Sequence, residues 1–205
     1  MRYSESHKAE TREKILKVAS RALREKGPQN VAVAEVMEAA GLTHGGFYAH
    51  FKSKDALLVE TLKHTFSNAR LKALKAVEGL PPRHALAAYV DFYVSPRHRD
   101  FPERGCPISA LNSDLPRQSK KFREVYDEGV KRLVLLIAGW LEEAGYDEPE
   151  KLSNSLLSAM VGAVSLSRSV ADKGLSDELL ESARAGIKAR LGLTDVALSR
   201  THLNG

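Results

Sequence analysis

One cysteine, Cys106, follows a run of cations made by Arg97, His98, Arg99 and Arg104, and Pro107 comes next. Nearby positive charge favours the thiolate, the reactive form of the side chain, and backbone N–H groups at a short helix start would add to that. Such a thiol reacts with oxidants or electrophiles. The plainer alternative is a small hydrophobe packed at the wall of a pocket. A lone thiol makes no internal disulfide and no thiolate zinc site, and it suits a reducing compartment. The seven histidines, His7, His44, His50, His64, His84, His98 and His202, form no i, i+4 pair and no His-Glu-x-x-His arrangement. His98 with Cys106 supplies two metal ligands, which is too few. Ser109 and Asp114 have no evident histidine partner, and Glu142 with Glu143 reads as a solvated helix face. No glycine-rich phosphate loop follows a strand. Enzymatic chemistry finds no constellation here, and no cofactor or metal is expected.

The elements that must position these residues read at helical period almost throughout. Residues 8–26 place Ile15, Leu16, Ala19, Ala22 and Leu23 on one face, and Gly27-Pro28 ends that helix. Residues 33–40 form a short helix with Val33, Val36, Met37 and Ala40 inward, stopped by Gly41. Thr43 is the candidate N-cap of a third short helix, 44–50, and Ser53 that of a long helix from Lys54 to about Glu78. Asp55 in its first turn suits the helix dipole. After the break at residues 79–82, helices are expected at about 83–94, from Pro116 to about Ala144, from about Pro149 to Lys173 and over about 177–191. A short helix is expected at 108–114 and loop or short turns at 95–107, and Gly174 and Ser176 separate the last two helices. No stretch reads as a strand, so the fold class is all-α. The expected organisation is a helix-turn-helix domain, 1–53, an effector-binding and dimerisation domain, 54–193, and a frayed tail, 194–205.

Residues 31–58 read VAVAEVMEAAGLTHGGFYAHFKSKDALL: short helix, glycine turn, short helix, then a long supporting helix. That order is a helix-turn-helix. Gly41 allows the turn a positive φ. Both helices are too short to stand alone and must pack on the first helix. In this geometry the second helix enters the major groove and its N-terminal residues, His44, Gly45 and Gly46, meet base edges.

Three elements in close order carry a resemblance: Ala39-Ala40-Gly41-Leu42, Phe47-Tyr48-Ala49-His50-Phe51, and Ser53-Lys54-Asp55-Ala56-Leu57. Residues 10–60 resemble the TetR family of repressors, and Gly105-Cys106-Pro107 through Leu115 looks like the Gly-Cys-Pro segment of one subgroup. The resemblance implies a ligand-released repressor acting as a homodimer on a palindromic, double-stranded operator. It implies that Thr43 caps the recognition helix and touches a phosphate, that His44 and Gly45 sit closest to the bases, that Tyr48, His50 and Lys54 hold backbone phosphates, and that Phe47 and Phe51 are packing residues. Two departures stand out. Ala32 occupies an N-cap that is commonly Thr or Ser, and Gly46 stands where many relatives have Ser or Thr. Sequence discrimination should then rest on few direct contacts plus DNA shape.

The rest of the chain is read as dimer interface and small-molecule effector pocket. Leu152, Leu156, Ala159, Ala163 and Leu166 with Leu179, Ala183 and Ile187 could build an intersubunit four-helix bundle. The alternative is that both stripes face this chain's own core. Leu62, Phe66, Phe92, Tyr93, Cys106, Leu111, Phe122, Trp140 and Met160 are the pocket candidates, each also a plausible plain core residue. A second functional reading makes Cys106 the sensor of a redox- or electrophile-responsive repressor.

Composition limits the partners. Over 205 residues the formal net charge is +5, yet residues 1–60 hold ten Lys/Arg against eight Asp/Glu, so charge alone does not announce nucleic-acid binding. A non-specific architectural DNA binder would be more basic and need no large second domain; a purely protein-binding helical module would leave DNA alone. The longest strongly apolar stretch, Leu133–Leu141, is short of the ~20 residues that span a bilayer. No apolar signal region is seen near the N-terminus, so no membrane and a cytoplasmic location are expected.

Overall fold

The computed structural model describes residues 5–196, and every regular element among them is helical. The helices are α1 (Glu5–Lys26), α2 (Val33–Ala39), α3 (Lys54–Ala76), α4 (Pro82–Tyr93), α5 (Pro96–Asp100), α6 (Pro107–Leu111), α7 (Lys120–Glu143), α8 (Pro149–Ser169) and α9 (Lys173–Arg190). Short 3-10 turns cover Pro28–Asn30, His44–Ala49, Pro102–Arg104 and Leu115–Arg117. Most of the expected tail, residues 197–205, lies outside the described residues.

Two compact units emerge, and they do not follow a boundary at residue 53. Among the described residues, the first comprises residues 5–68 and 102–129, the second residues 69–101 and 130–196. The reason lies in the first unit's core. Ile15, Ala19 and Leu23 of α1 and Val36 and Met37 of α2 share one apolar cluster with Phe47, Phe51, Leu57, Leu58 and Leu62, and that cluster also takes in Leu111, Leu115 and Phe122. The helix-turn-helix therefore buries its apolar face against segments some 50 residues or more downstream in sequence. Hydrophobic area decides where a unit closes, and sequence order does not.

Local chemistry sets the helix ends. Ser53 accepts a hydrogen bond from the backbone N–H of Ala56 at 3.0 Å, capping α3 as expected. Within residues 95–107, Ser95 accepts from His98 N at 3.2 Å and so starts α5 where loop or short turns were expected. Pro116 opens only a 3-10 turn, and α7 starts at Lys120. The break between the last two helices also falls earlier than the sequence suggested. Asp172 accepts from Leu175 N at 2.6 Å and caps α9, so Gly174 and Ser176 lie inside that helix. Ser176 is held there by a contact the glycine hid: its hydroxyl donates to the Ser167 carbonyl at 2.6 Å and accepts from Arg99 at 2.8 Å.

The second unit is organised by aromatic and ionic contacts. Tyr89 meets the rings of Phe92, Tyr93 and Trp140, the last at 5.0 Å between centroids. Arg99, only 3% exposed, also bonds Asp100 and Asp177, each at 2.6 Å. Those carboxylates raise the Arg99 pKa above its already high ordinary value, against the pull of burial. Arg168 donates to the carbonyls of Arg99 and His98, which ties α5 to α8.

In the first unit, Gly129 on α7 is a packing requirement. A Cβ there would lie 2.4 Å from the Phe66 ring, which itself meets Tyr126 edge-on at 5.8 Å. Gly129→Ala should lower unfolding stability by about 1–3 kcal/mol through overpacking. Phe66→Leu combined with it should recover part of that loss. Urea denaturation of the two single variants and the double variant checks this; simple additivity of the two losses would contradict the contact.

Candidate nucleic-acid interface

α2 ends in a backbone motif that only the left-handed conformation of Gly41, φ 68°, permits. Gly41 N donates to the Glu38 carbonyl and Leu42 N to the Met37 carbonyl, at 2.8 and 2.9 Å, which turns the chain sharply and delivers it to Thr43. The next segment, His44–Ala49, is a 3-10 helix where an α-helix was expected. Gly45 and Gly46 each cost about 1 kcal/mol relative to Ala in a helix, so the six residues containing both are poor α-helix formers and take the tighter 3-10 form. Gly46 N bonds the Thr43 carbonyl at 3.1 Å. Thr43 occupies the N-cap position in extended conformation, but its side chain makes no capping bond, which corrects the expected role; its residue is exposed. Ala32, as its chemistry requires, offers α2 no side-chain cap either.

The packing residues point inward. Phe47 and Phe51 stack at 5.8 Å and both are buried. That leaves Tyr48 71% exposed, its ring edge-on to Phe47. His44 and Gly45 are exposed too, and a side chain added at Gly45 would meet nothing within 4 Å. Lys54 is exposed and donates to the Gln29 carbonyl at 3.1 Å, which brings the first turn of α3 beside the turn that follows α1. His50 is half-buried. Its Nδ1 is sealed without a partner, and burial first, then the charges of Lys8 and Arg12, push its pKa down. The predicted DNA residues thus include four exposed ones in a single turn, Thr43, His44, Gly45 and Tyr48, with Gly46 and His50 partly covered.

One residue that the sequence reading missed holds this turn in place. The Arg12 guanidinium lies 4.3 Å above the Phe51 ring, ion-pairs with Glu60 and reaches the His50 carbonyl at 3.4 Å. It was one of many charged residues on α1, and nothing in its spacing set it apart.

The other predicted groups separate. Leu62, Leu111 and Phe122 are fully buried and pack in the first unit's core. Phe66 packs on that core, and Cys106 is buried in the same unit. Phe92, Tyr93, Trp140 and Met160 belong to the second unit. Two surface pockets of that unit, of about 410 and 450 Å3, are lined by none of these residues. Of the predicted interface stripe, Leu156 and Ile187 are buried within the chain itself. Leu152, Ala159, Ala163, Leu179 and Ala183 are partly exposed and Leu166 is 55% exposed. The cations expected around Cys106 are also redistributed. Arg97, His98 and Arg99 fall in the second unit, whereas the cation buried in the unit that holds Cys106 is Arg24, on α1.

Comparison with known proteins agrees with this geometry. Residues 15–61 match the family described as bacterial regulatory proteins, tetR family, and residues 82–177 match the C-terminal domain described as transcriptional regulator LmrA/YxaF-like. The chain belongs to the TetR family of transcriptional regulators, DNA-binding proteins that are not enzymes. It is 29% identical over 172 residues to the HTH-type transcriptional repressor Rv1474c of Mycobacterium tuberculosis, covering 73% of this chain and 91% of that one. It is 32% identical over 101 residues to the HTH-type transcriptional regulator YerO of Bacillus subtilis, covering 45% of this chain and only 34% of that protein. Among solved structures, reduced E. coli NemR superposes with a TM-score of 0.76 at 22% identity, over 88% of this chain and 96% of that one. No helix among the described residues is long and apolar enough to cross a membrane.

Two outcomes follow for the recognition turn. Tyr48→Phe should weaken binding to a selected operator duplex by several-fold or more, with an unchanged melting temperature, because the hydroxyl serves only the surface; fluorescence anisotropy and thermal melting read the two effects. For His50 the sign is set by its lowered pKa. Near pH 6.5 and below, the unfolded chain takes up the proton more readily than the folded one, so this group's contribution is intact above that pH and is lost on acidification. His50→Gln should therefore lose less stability than the wild type between pH 7.5 and 5.5; an equal or larger loss would contradict the assignment.

Proposed function

We propose that this chain is a ligand-released repressor that binds a palindromic operator as a homodimer. The observation that carries the reading is the turn from Thr43 to Tyr48. It is exposed on its outer face, anchored by buried Phe47 and Phe51 beneath, and continuous with the exposed Lys54. Its N-terminal residues are at the base edges and Tyr48, His50 and Lys54 on phosphates. Two copies are needed because one such turn reads a half-site, and two-fold pairing supplies a second reader about 34–36 Å away. The partly exposed faces of α8 and α9, with Leu152, Ala159, Ala163, Leu166, Leu179 and Ala183, form the pairing surface. A small-molecule effector weakens DNA binding by shifting α3, whose first turn carries Lys54, a coupling of about 1–3 kcal/mol. Its location is the cytoplasm, and it uses no cofactor.

A second reading makes the effector a thiol-reactive compound that modifies Cys106. Two observations favour it: Cys106 is buried in the same unit as the Arg24 guanidinium, and a relative 25% identical over 136 residues is the transcriptional repressor NemR of E. coli, whose solved structure is described as a reduced form.

Selection from random duplex DNA tests the main reading. A palindrome should emerge and be bound more tightly than random DNA by a thousandfold or more, with both affinities falling as salt rises. Leu166→Glu should convert a dimer seen by light scattering into monomer and abolish tight operator binding. A protein that runs as a monomer and shows no preference for any duplex would overturn the proposal.

A further inference from the structure

Among the described residues, the buried polar side chains of the first unit are Ser20, Arg24, Thr61, Thr65 and Ser109. Arg24 alone is charged, and it is only 8% exposed. The hydroxyls of Ser20, Thr65 and Ser109 find partners inside the unit. Thr65 donates to the Thr61 carbonyl at 2.7 Å, so in its 2.9 Å contact with Ser20 the serine is the donor. Ser109 donates to the Cys106 carbonyl at 3.2 Å. Arg24, one turn past Ser20 on α1, is left short. One terminal nitrogen donates to the backbone carbonyl of Glu103, in the turn Pro102–Arg104, while Nε is sealed from solvent and has no hydrogen-bond partner. No carboxylate of the described residues stands within ion-pair distance of it: that of Glu103 itself pairs with Arg104 at 3.2 Å. Burial is the largest influence on the guanidinium and pulls its pKa down to about 10, the opposite of what a bound carboxylate does.

Such an arrangement is costly. A lone buried cation loses its hydration, and an unmet N–H adds the cost of a missing bond. An unbranched apolar side chain would suit the core better, since Leu23, next in sequence, shares one apolar cluster with Leu111, Leu115 and Phe122. A buried donor without a partner inside the chain calls for one from outside it. A water molecule would satisfy Nε but leave the charge unanswered. The chemistry of a charged partner is narrow. Arginine takes a carboxylate bidentately through the planar fork to which Nε belongs. The partner carries one negative charge, because a dianion would bring a second charge out of water with no second buried cation to meet it. Its remainder is apolar, as small-molecule sites in such cores are.

We propose that Arg24 is an anion-binding residue and that the effector is an organic monocarboxylate with an apolar body, its head paired with Nε of Arg24 in the core of the unit that carries the recognition turn. This rests on the small-molecule-released reading above and names the class of ligand. The bond from Arg24 to the Glu103 carbonyl joins α1 to the turn Pro102–Arg104. A carboxylate competes with that carbonyl for the guanidinium, so its binding loosens α1 from the turn. The residue that answers the ligand is therefore also one that holds the first helix of the DNA-binding head.

Octanoate and benzoate serve as probes, with octanol and benzyl alcohol as their uncharged counterparts. At pH 7.5 at least one carboxylate should raise the melting temperature of the full chain saturably and weaken binding to the selected operator at least tenfold, while its alcohol does neither; this comparison needs no variant to fold. Arg24→Met should lose both effects. Without any probe, Arg24→Met should melt above the wild type, because no cation is then carried into the core, whereas replacing a guanidinium kept for the fold would lower the melting temperature. Carboxylate shifts no larger than those of the alcohols, shifts retained in Arg24→Met, a probe-free Arg24→Met that melts below the wild type, or a bound carboxylate without effect on the operator would each overturn the proposal. Should the probe-free wild type ignore every duplex, it is the repressor reading that fails, and the melting temperatures still judge the site.

Discussion

A six-residue 3-10 turn containing two adjacent glycines cannot hold its own shape in water, because nucleating so short a helix is unfavourable and each glycine adds backbone entropy. What fixes it is burial of Phe47 and Phe51 against Ile15, Ala19 and Leu23, closed on one side by Arg12 above the Phe51 ring. Two buried aromatic rings bring several kcal/mol of apolar burial, enough to outweigh the local cost. Tyr48 is exposed because Phe47 and Phe51, its neighbours at i−1 and i+3, are not. The outward chemistry of the turn is thus a by-product of its inward packing, and any account of recognition starts from that core.

The sequence revealed this part well because it is written in local terms. The glycine that needs a positive φ, the serine that caps α3 and the aromatics that anchor the turn act within a few residues of themselves. Gly41 and Ser53 do in the structure what their types require. Misreadings gather where a distant partner decides. Gly174 reads as a breaker, yet Asp172 caps the helix in front of it and Ser176 is claimed by Arg99 and Ser167. Leu156 and Ile187 carry the same helical spacing as their exposed neighbours, and only the tertiary fold tells an inward leucine from an outward one. Likewise Leu111 and Phe122 read as members of a later domain, but they complete the head's core.

Charge follows the same division. Counting cations near Cys106 in sequence nominated Arg97, His98, Arg99 and Arg104. Arg99 is instead spent on Asp100, Asp177 and Ser176, where it staples α5 to α9. The cation buried in the same unit as the thiol is Arg24 of α1, 82 positions earlier. Sequence proximity is a poor guide to electrostatics in a helical protein, since side chains three or four apart share a face but adjacent ones diverge.

The composition of the turn also bears on how DNA is discriminated. His44 is the one side chain with hydrogen-bonding groups among the three residues that would lie nearest the base edges, because Gly45 and Gly46 carry none. A bidentate contact supplies about 1–3 kcal/mol of discrimination per base pair, and two glycines forgo it. They also let the backbone approach closely, since no Cβ stands between it and the groove floor. Selectivity would then shift toward groove width and the stiffness of the duplex, which the phosphate contacts proposed for Tyr48, His50 and Lys54 would sense. In the proposed dimer, a head built this way would gain its precision from how rigidly two copies are spaced and how well the operator tolerates that spacing. On the proposed reading, a small shift in α3 would then be enough to release it.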